Sequence, residues 1–297
     1  MAWTRRQFLY RTTVLGAAAA AGCSSRVGGD PVADPAARPA GPEPTSSEPS
    51  APERTTIGIL SYRPYTVEDG GEVAGPVPEV ARAVLDALGV TDVKIQVVRD
   101  EAVLQAGIAA GQFDLVGGLT IRPDLCGDLE FSVPDHVSLT AFVVPAANPK
   151  GLKTYAEVAA TGAKLGVMGG LPEEQDARTG GVPQANIVAL PDPAVLLNAV
   201  RSGEVDCAAF DDITLRDMVK TQGEGVAVTD PFRPPDRLPW VGAYAFPEGS
   251  ELLTSFNNRL RDLHESGVWL QIVAPYGFTE HNAPPADLTT EKVCAGG

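Results

Sequence analysis

Arg122 stands in "GGLTIRPDLC", directly after the apolar run "GQFDLV" and directly before a proline that cannot continue a strand. A guanidinium there is either a surface arginine of a loop or a planar fork turned toward a carboxylate. Two acids could meet a cation or exchange a proton: Glu101, opening "EAVLQAGIAAG", and Asp211, closing "VDCAAFD". Asp211, and more readily Asp212, could instead cap the helix that follows. His136, His264 and His281 are scattered, without neighbouring ligands, and read as ordinary core or surface histidines. Cys23, Cys126, Cys207 and Cys294 fit no zinc spacing. No nucleophile with a base beside it and no phosphate-binding loop appears, so no metal and no cofactor is expected.

The elements that must position these groups alternate. "TTIGIL" reads as a buried strand, "VPEVARAVLDALG" as an amphipathic helix ending at glycine, and "VKIQVV" as a strand. "EAVLQAGIAAG" is a second helix and "FDLVGGLT" a third strand, a βαβαβ series that implies a parallel sheet with helices on both faces. After the extended run "TAFVVPA" the pattern restarts: "AKLGVMGG" strand, a polar segment, "ANIVAL" strand, "PAVLLNAVRSG" helix, "VDCAAFD" strand, "DITLRDMVKTQG" helix, "VAVTDPF". A second extended run, "WVGAYAFP", precedes two helices in "SELLTSFNNRLRDLHESGVWLQIVAPYG". The fold class expected is therefore α/β, with two Rossmann-like lobes joined by two crossover strands. The first lobe takes residues 55–143 and 240–297, the second 144–239. Ligands of open α/β sheets bind beyond the carboxyl ends of the strands, which here face the gap between lobes. Arg122 lies past the end of the third strand and should face that gap.

The chain begins "MAWTRRQFLYRTTVLGAAAAAGC", three arginines followed by a run of small apolar residues too short for the roughly 20 a spanning helix needs. Residues 1–22 read as an export signal. Its paired Arg5 and Arg6 resemble a twin-arginine signal, and "AAGC" resembles a lipobox that would make Cys23 the lipidated N-terminus. Residues 23–54 are dense in Pro, Ala, Ser and Glu and read as a disordered tether. The formal charge of -15 disfavours nucleic acid and bare anionic lipid as partners. Membrane contact is expected through the lipid alone, and the chain is expected to be a monomer. An exported chain with Cys23 lipidated keeps three thiols, enough for one disulfide.

From Thr55 onward the sequence resembles the family 3 extracellular solute-binding proteins, the type II periplasmic binding proteins of ABC importers. The carrying segments are "GPVPEVARAVLDALGV", "FSVPDHVSLTAFVVPAANPKGLKTYAEVA" and "VAPYGFTEHNAPPADLTTEKVCAGG", and the ectoine- and hydroxyectoine-binding branch resembles the chain most. The resemblance implies the two-lobe fold, a small polar or zwitterionic solute (an amino acid or something ectoine-like), and permease subunits as partners. Tyr62 would be the aromatic that stacks on the ligand, with Tyr65 a second. The motif after the third strand maps to Thr120 through Leu125. Its carboxylate-binding arginine is replaced by Leu125, and Arg122 would supply the charge from a shifted origin. Gly170 would precede a helix start whose N–H groups meet the ligand anion, and Asp211 would bind the ligand ammonium. Glu101 stands where the ectoine branch often has an aromatic. The same branch resembles the chain at Cys126 and Cys294, which implies a disulfide between them, with Cys207 a buried thiol. The alternative on this fold is a dehydratase-type enzyme using Glu101 or Asp211 as acid or base.

Overall fold

The computed structural model describes residues 52–234 and 237–296. Residues 1–51, which include the stretch read as an export signal, Cys23 and most of the stretch read as a tether, lie outside the described residues. None of the helices described is long and apolar enough to cross a membrane.

The folded body starts at β1 (Arg54–Leu60), one residue before the expected boundary. β1 pairs in parallel with β4 (Asp92–Val98) on one side and β5 (Leu115–Thr120) on the other. β13 (Trp240–Phe246) adds antiparallel to β5, and β6 (Glu130–Phe131) and β7 (His136–Ser138) pair with β13. A hairpin of β2 (Val67–Asp69) and β3 (Glu72–Ala74) stands apart from this sheet. α1 (Pro76–Ala87) opens with proline at its first position, where no N–H is needed. Its Val77, Val80, Ala81, Val84 and Leu85 recur at helical spacing and are buried on one face of the sheet. α7 (Leu252–Glu265) and α8 (Val268–Val273) pack beside it. α2 (Glu101–Ala109), capped by the Asp100 carboxylate accepting from the Ala102 N–H at 2.8 Å, buries Leu104 and Ile108 in a cluster with Val116 and Leu119 of β5.

The second sheet has the order β10-β9-β11-β8-β12. It consists of β8 (Thr140–Pro145), β9 (Leu165–Met168), β10 (Ile187–Leu190), β11 (Cys207–Asp211) and β12 (Val226–Val228). Alternate residues of β8 divide between its faces. Phe142 and Val144 join Tyr155 and Val158 of α3 (Tyr155–Thr161), while Ala141 and Val143 join Leu196 and Val200 of α5 (Pro193–Ser202). Completing the layers are α4 (Pro172–Thr179) and α6 (Asp212–Gln222). The stretch expected as a polar segment is in fact α4, and α3 was not anticipated; both are short, α4 is almost wholly polar, and α3 is apolar mainly through small alanines, so neither shows a clear periodic stripe.

The lobe boundary also differs from expectation. β8 gives its main-chain hydrogen bonds to β11 and β12, so the chain leaves the first sheet near Leu139, between β7 and β8, rather than at residue 143. An isolated bridge between Thr140 and Phe232 marks the return path toward β13. At the end of the chain, α9 (Thr290–Cys294) lies against the first half, where Leu288 and Val293 pack with Leu125 and Leu129. Cys294 is disulfide-bonded to Cys126, with Cα atoms 5.8 Å apart, and Cys207 is a buried free thiol.

Candidate functional site

A cavity of about 230 Å³ lies beyond the carboxyl ends of β1, β5, β9 and β11. It is small beside the roughly 300–1,000 Å³ of sites that take drug-sized ligands. The first half contributes Tyr62 and Tyr65 from the loop after β1, Gly118 to Thr120 of β5, and His136 and Ser138 of β7 with Trp240 and Gly242 of β13. The second half contributes Phe210 and Asp211 at the end of β11, and Leu171 and Glu173 around the start of α4.

Tyr65 holds the centre. Its hydroxyl donates to Asp211 Oδ2 at 3.2 Å, a bond from one half to the other. Its ring stacks on Tyr62 with centroids 5.7 Å apart and on His136 at 5.3 Å. Tyr62 keeps 47% of its surface exposed, so its ring is available to a ligand. Asp211 accepts from the Ile213 N–H at 2.9 Å and from the Thr214 hydroxyl at 2.6 Å, so it caps α6 and faces the cavity at once. Burial first, and then the neighbouring charge of Asp212, push its carboxyl up to about 6. Asp212 itself is fully buried, paired with Arg216, and accepts from the Leu139 N–H and the Asn282 amide.

Two glycines shape the wall. Gly118 has φ of 84°, a conformation L side chains rarely adopt, within the strand segment that lines the cavity. A Cβ on Gly242 would lie 2.1 Å from the His136 ring, so the ring could not keep its place beside any larger residue. His136 Nδ1 is 2.8 Å from Asp135 Oδ2, and Asp135 Oδ1 accepts from the Trp269 indole N–H at 3.1 Å. Asp135 ties His136 to the Trp269 side of the core through one ring nitrogen. Reading the histidines as ordinary is thus corrected for His136, which is part of the cavity wall.

Glu173 lies in the first turn of α4 and is only 2% exposed. Its Oε2 has no hydrogen-bond partner among the described residues, and Oε1 is 3.9 Å from the Arg237 guanidinium. Arg237 is committed to Asp176 at 2.9 Å and stands 5.9 Å from the Trp240 ring centroid. Burial raises the pKa of Glu173 above the usual carboxylate value.

Of the residues singled out in the sequence, Tyr62, Tyr65, Thr120 and Asp211 line the cavity together. Arg122, Glu101 and Gly170 do not. Arg122 donates from both terminal nitrogens to Glu101, at 2.5 and 3.3 Å, and its Nε is 3.4 Å from Asp124. The fork expected to face the gap is closed on the chain's own carboxylates, because α2 brings Glu101 to the loop after β5. Leu125 is buried in the first-half core. The Gly170 N–H donates to Glu174 Oε2 at 3.0 Å. Glu173, His136, Ser138 and Trp240 were missed. Glu173 had a signal: "GGLPEE" follows a strand end just as "IRPDL" does, with a proline to start the helix.

Residues 56–280 match the family described as bacterial extracellular solute-binding proteins, family 3. A probable amino-acid ABC transporter periplasmic-binding protein, y4tE of Sinorhizobium fredii, is 31% identical over 250 residues, 81% of this chain and 82% of that protein. Among solved structures, EhuB in complex with hydroxyectoine is 30% identical with a TM-score of 0.55, over 82% of this chain and 95% of that one. The unliganded, open L-cystine receptor of Neisseria gonorrhoeae shares the fold at 22% identity, with a TM-score of 0.66 over 78% of this chain and 95% of that one. Two α/β halves, a cavity at their strand ends, and these matches along the folded body agree: the chain belongs to the bacterial extracellular solute-binding proteins of family 3.

Proposed function

We propose that this chain captures a small polar solute bearing a cationic nitrogen and delivers it to the permease of an ABC importer, from a lipid anchor on the outer face of the cytoplasmic membrane. The carrying observation is that Asp211 from one half and Tyr62, Tyr65 and Thr120 from the other reach the same small cavity. A carboxylate and stacked aromatic faces suit a compact cation, by charge and by cation–π attraction. Relatives named for amino acids and for hydroxyectoine fit a solute of this size and polarity. The test is a thermal-shift screen of amino acids, betaines, ectoines, amines and small carboxylates. A ligand at a hundred times its Kd should add about 2.7 kcal/mol of stability. A flat response across the whole set would refute solute capture by this cavity.

Anchoring rests on the paired Arg5 and Arg6 and on "AAGC". Mass spectrometry of membrane-extracted protein should find a diacylglyceryl adduct on Cys23 at the mature N-terminus. A mature chain starting elsewhere would remove the anchor and leave export standing.

A further inference from the structure

We propose that the solute is an organic cation without a carboxylate, an amine or guanidine, and that Glu173 acts with Asp211 as the residue that selects it. This deepens the solute-capture reading and rests on it.

Three observations carry it. First, neither group assigned from the sequence to a ligand anion is free to take one. Arg122 is closed on Glu101 and Asp124, and the Gly170 N–H is taken by Glu174. The start of α4 is further spoiled for an anion because Pro172 brings no N–H, while Glu173 and Glu174 place acids in the first turn. Second, among the described residues neither lysine nor arginine lines the cavity, whereas two carboxylates do, both from the second half: Asp211 at the end of β11 and Glu173 in the helix start that follows the neighbouring β9. Its single imidazole, His136, has Nδ1 committed to Asp135. Third, Glu173 is almost completely buried with Oε2 lacking any donor among the described residues. A buried acceptor without a partner is costly, and the cost is relieved by whatever brings N–H groups to it. A ligand carboxylate would meet like charge in a poorly hydrated space; an ammonium or guanidinium would be neutralised there. Tyr62, Tyr65 and Trp240 supply aromatic faces for the same cation.

The experiment compares matched pairs by isothermal titration calorimetry: agmatine with L-arginine and cadaverine with L-lysine, with ectoine and glycine betaine beside them. The decarboxylated member of a pair should bind at least about tenfold tighter than its amino acid, since removing the carboxylate removes the repulsion. Glu173→Gln should weaken the amine by about tenfold or more while the folded protein keeps its circular dichroism and melts cooperatively. Should Glu173→Gln misfold, Glu173→Asp provides the second variant: a carboxylate drawn back by one methylene should lose affinity for the short amine more than for the longer guanidine. Tighter binding of an amino acid, ectoine or betaine than of every decarboxylated compound overturns this inference and leaves solute capture intact. Binding of none of them counts against both. Wild-type amine affinity in Glu173→Gln also overturns the role given to Glu173.

Discussion

At Asp211 the folded protein holds a carboxyl that keeps its proton to higher pH than an ordinary aspartate. Tyr65, Thr214 and the Ile213 N–H stabilise the anion, but burial and the buried Asp212 outweigh them, and Tyr62 and Glu173 face it without adding positive charge. A folded-state pKa of about 6 lies above the ordinary 3.8, so the group contributes stability below the lower value and loses it as pH rises through the higher. The loss is at most about 3 kcal/mol for a shift of this size, and smaller for the part of the side chain open to water. Asp211→Asn keeps an oxygen for the α6 cap and has no proton to lose. The stability of the ligand-free variant, relative to wild type, should therefore rise between pH 4 and pH 7 in denaturant titrations, while its affinity for a cationic solute falls. Equal pH dependence in the two proteins would refute the shifted carboxyl. Arg122 makes the opposite case: its charge is already paired outside the cavity, so Arg122→Ala should change solute affinity less than about threefold and stability by about 1 kcal/mol or less, as for other partly exposed ion pairs. A tenfold loss of affinity would return Arg122 to the ligand.

At the scale of elements, the longer strands and the long helices were legible because each carries a clean pattern, whereas β2, β3, β6 and β7, two or three residues each, were not. β8 alternates between two cores, α1 repeats its buried valines at helical spacing, and glycines follow α1 and α5 where the helices stop. α3 and α4 were not legible: α3 has only seven residues and opens on the Thr154–Glu157 capping box, and α4 is polar at nearly every position and opens on Pro172, so neither shows a hydrophobic stripe. Asp211 and Tyr62 could be placed because a strand end fixes where the next side chain points. Arg122 could not, since its partner Glu101 is 21 residues away and only the packing of α2 beside β5 brings them together. The same long-range packing seats α9. Its disulfide to Cys126 closes a span of 168 residues, and removing a bridge of that kind costs about 2–5 kcal/mol. Cys126→Ser with Cys294→Ser should lower the denaturant midpoint accordingly. Cys207, buried and with its thiol pushed up to about 12, should resist alkylation in the folded variant and react only on unfolding. Alkylation of the native fold would show that losing the bridge opens the second half as well, which the separation of the two cores argues against.

Across the described body, the two halves meet at α6, where Ile213 packs into the first-half core and Asp212 accepts from Asn282, and through polar contacts around it. Tyr65 reaches Asp211, Arg63 pairs with Asp217 of α6 at 3.2 Å, and Lys220 and Arg216 of α6 donate to carbonyls of Pro275 and Gly277. α6 is thus the element of the second half most closely tied to the first, and the start of α4, bearing Leu171 and Glu173, has fewer such ties. A solute bound by Asp211 and Glu173 on one side and by Tyr62 and Thr120 on the other would link the halves through itself, and the surface it covers would lose water. Closure of this kind should appear in small-angle scattering as a lower radius of gyration when the solute identified by screening is added at saturation. The same addition should raise the melting temperature by about 5–10 °C at a hundred times Kd, given 2–4 °C per kcal/mol for a body of this size. Opposing Tyr62→Ala separates the two effects: the ring is half exposed and holds no core, so the ligand-free melting temperature should stay near wild type while the ligand-induced rise shrinks. A full ligand-induced rise in Tyr62→Ala would mean that the solute closes the halves without stacking on this ring.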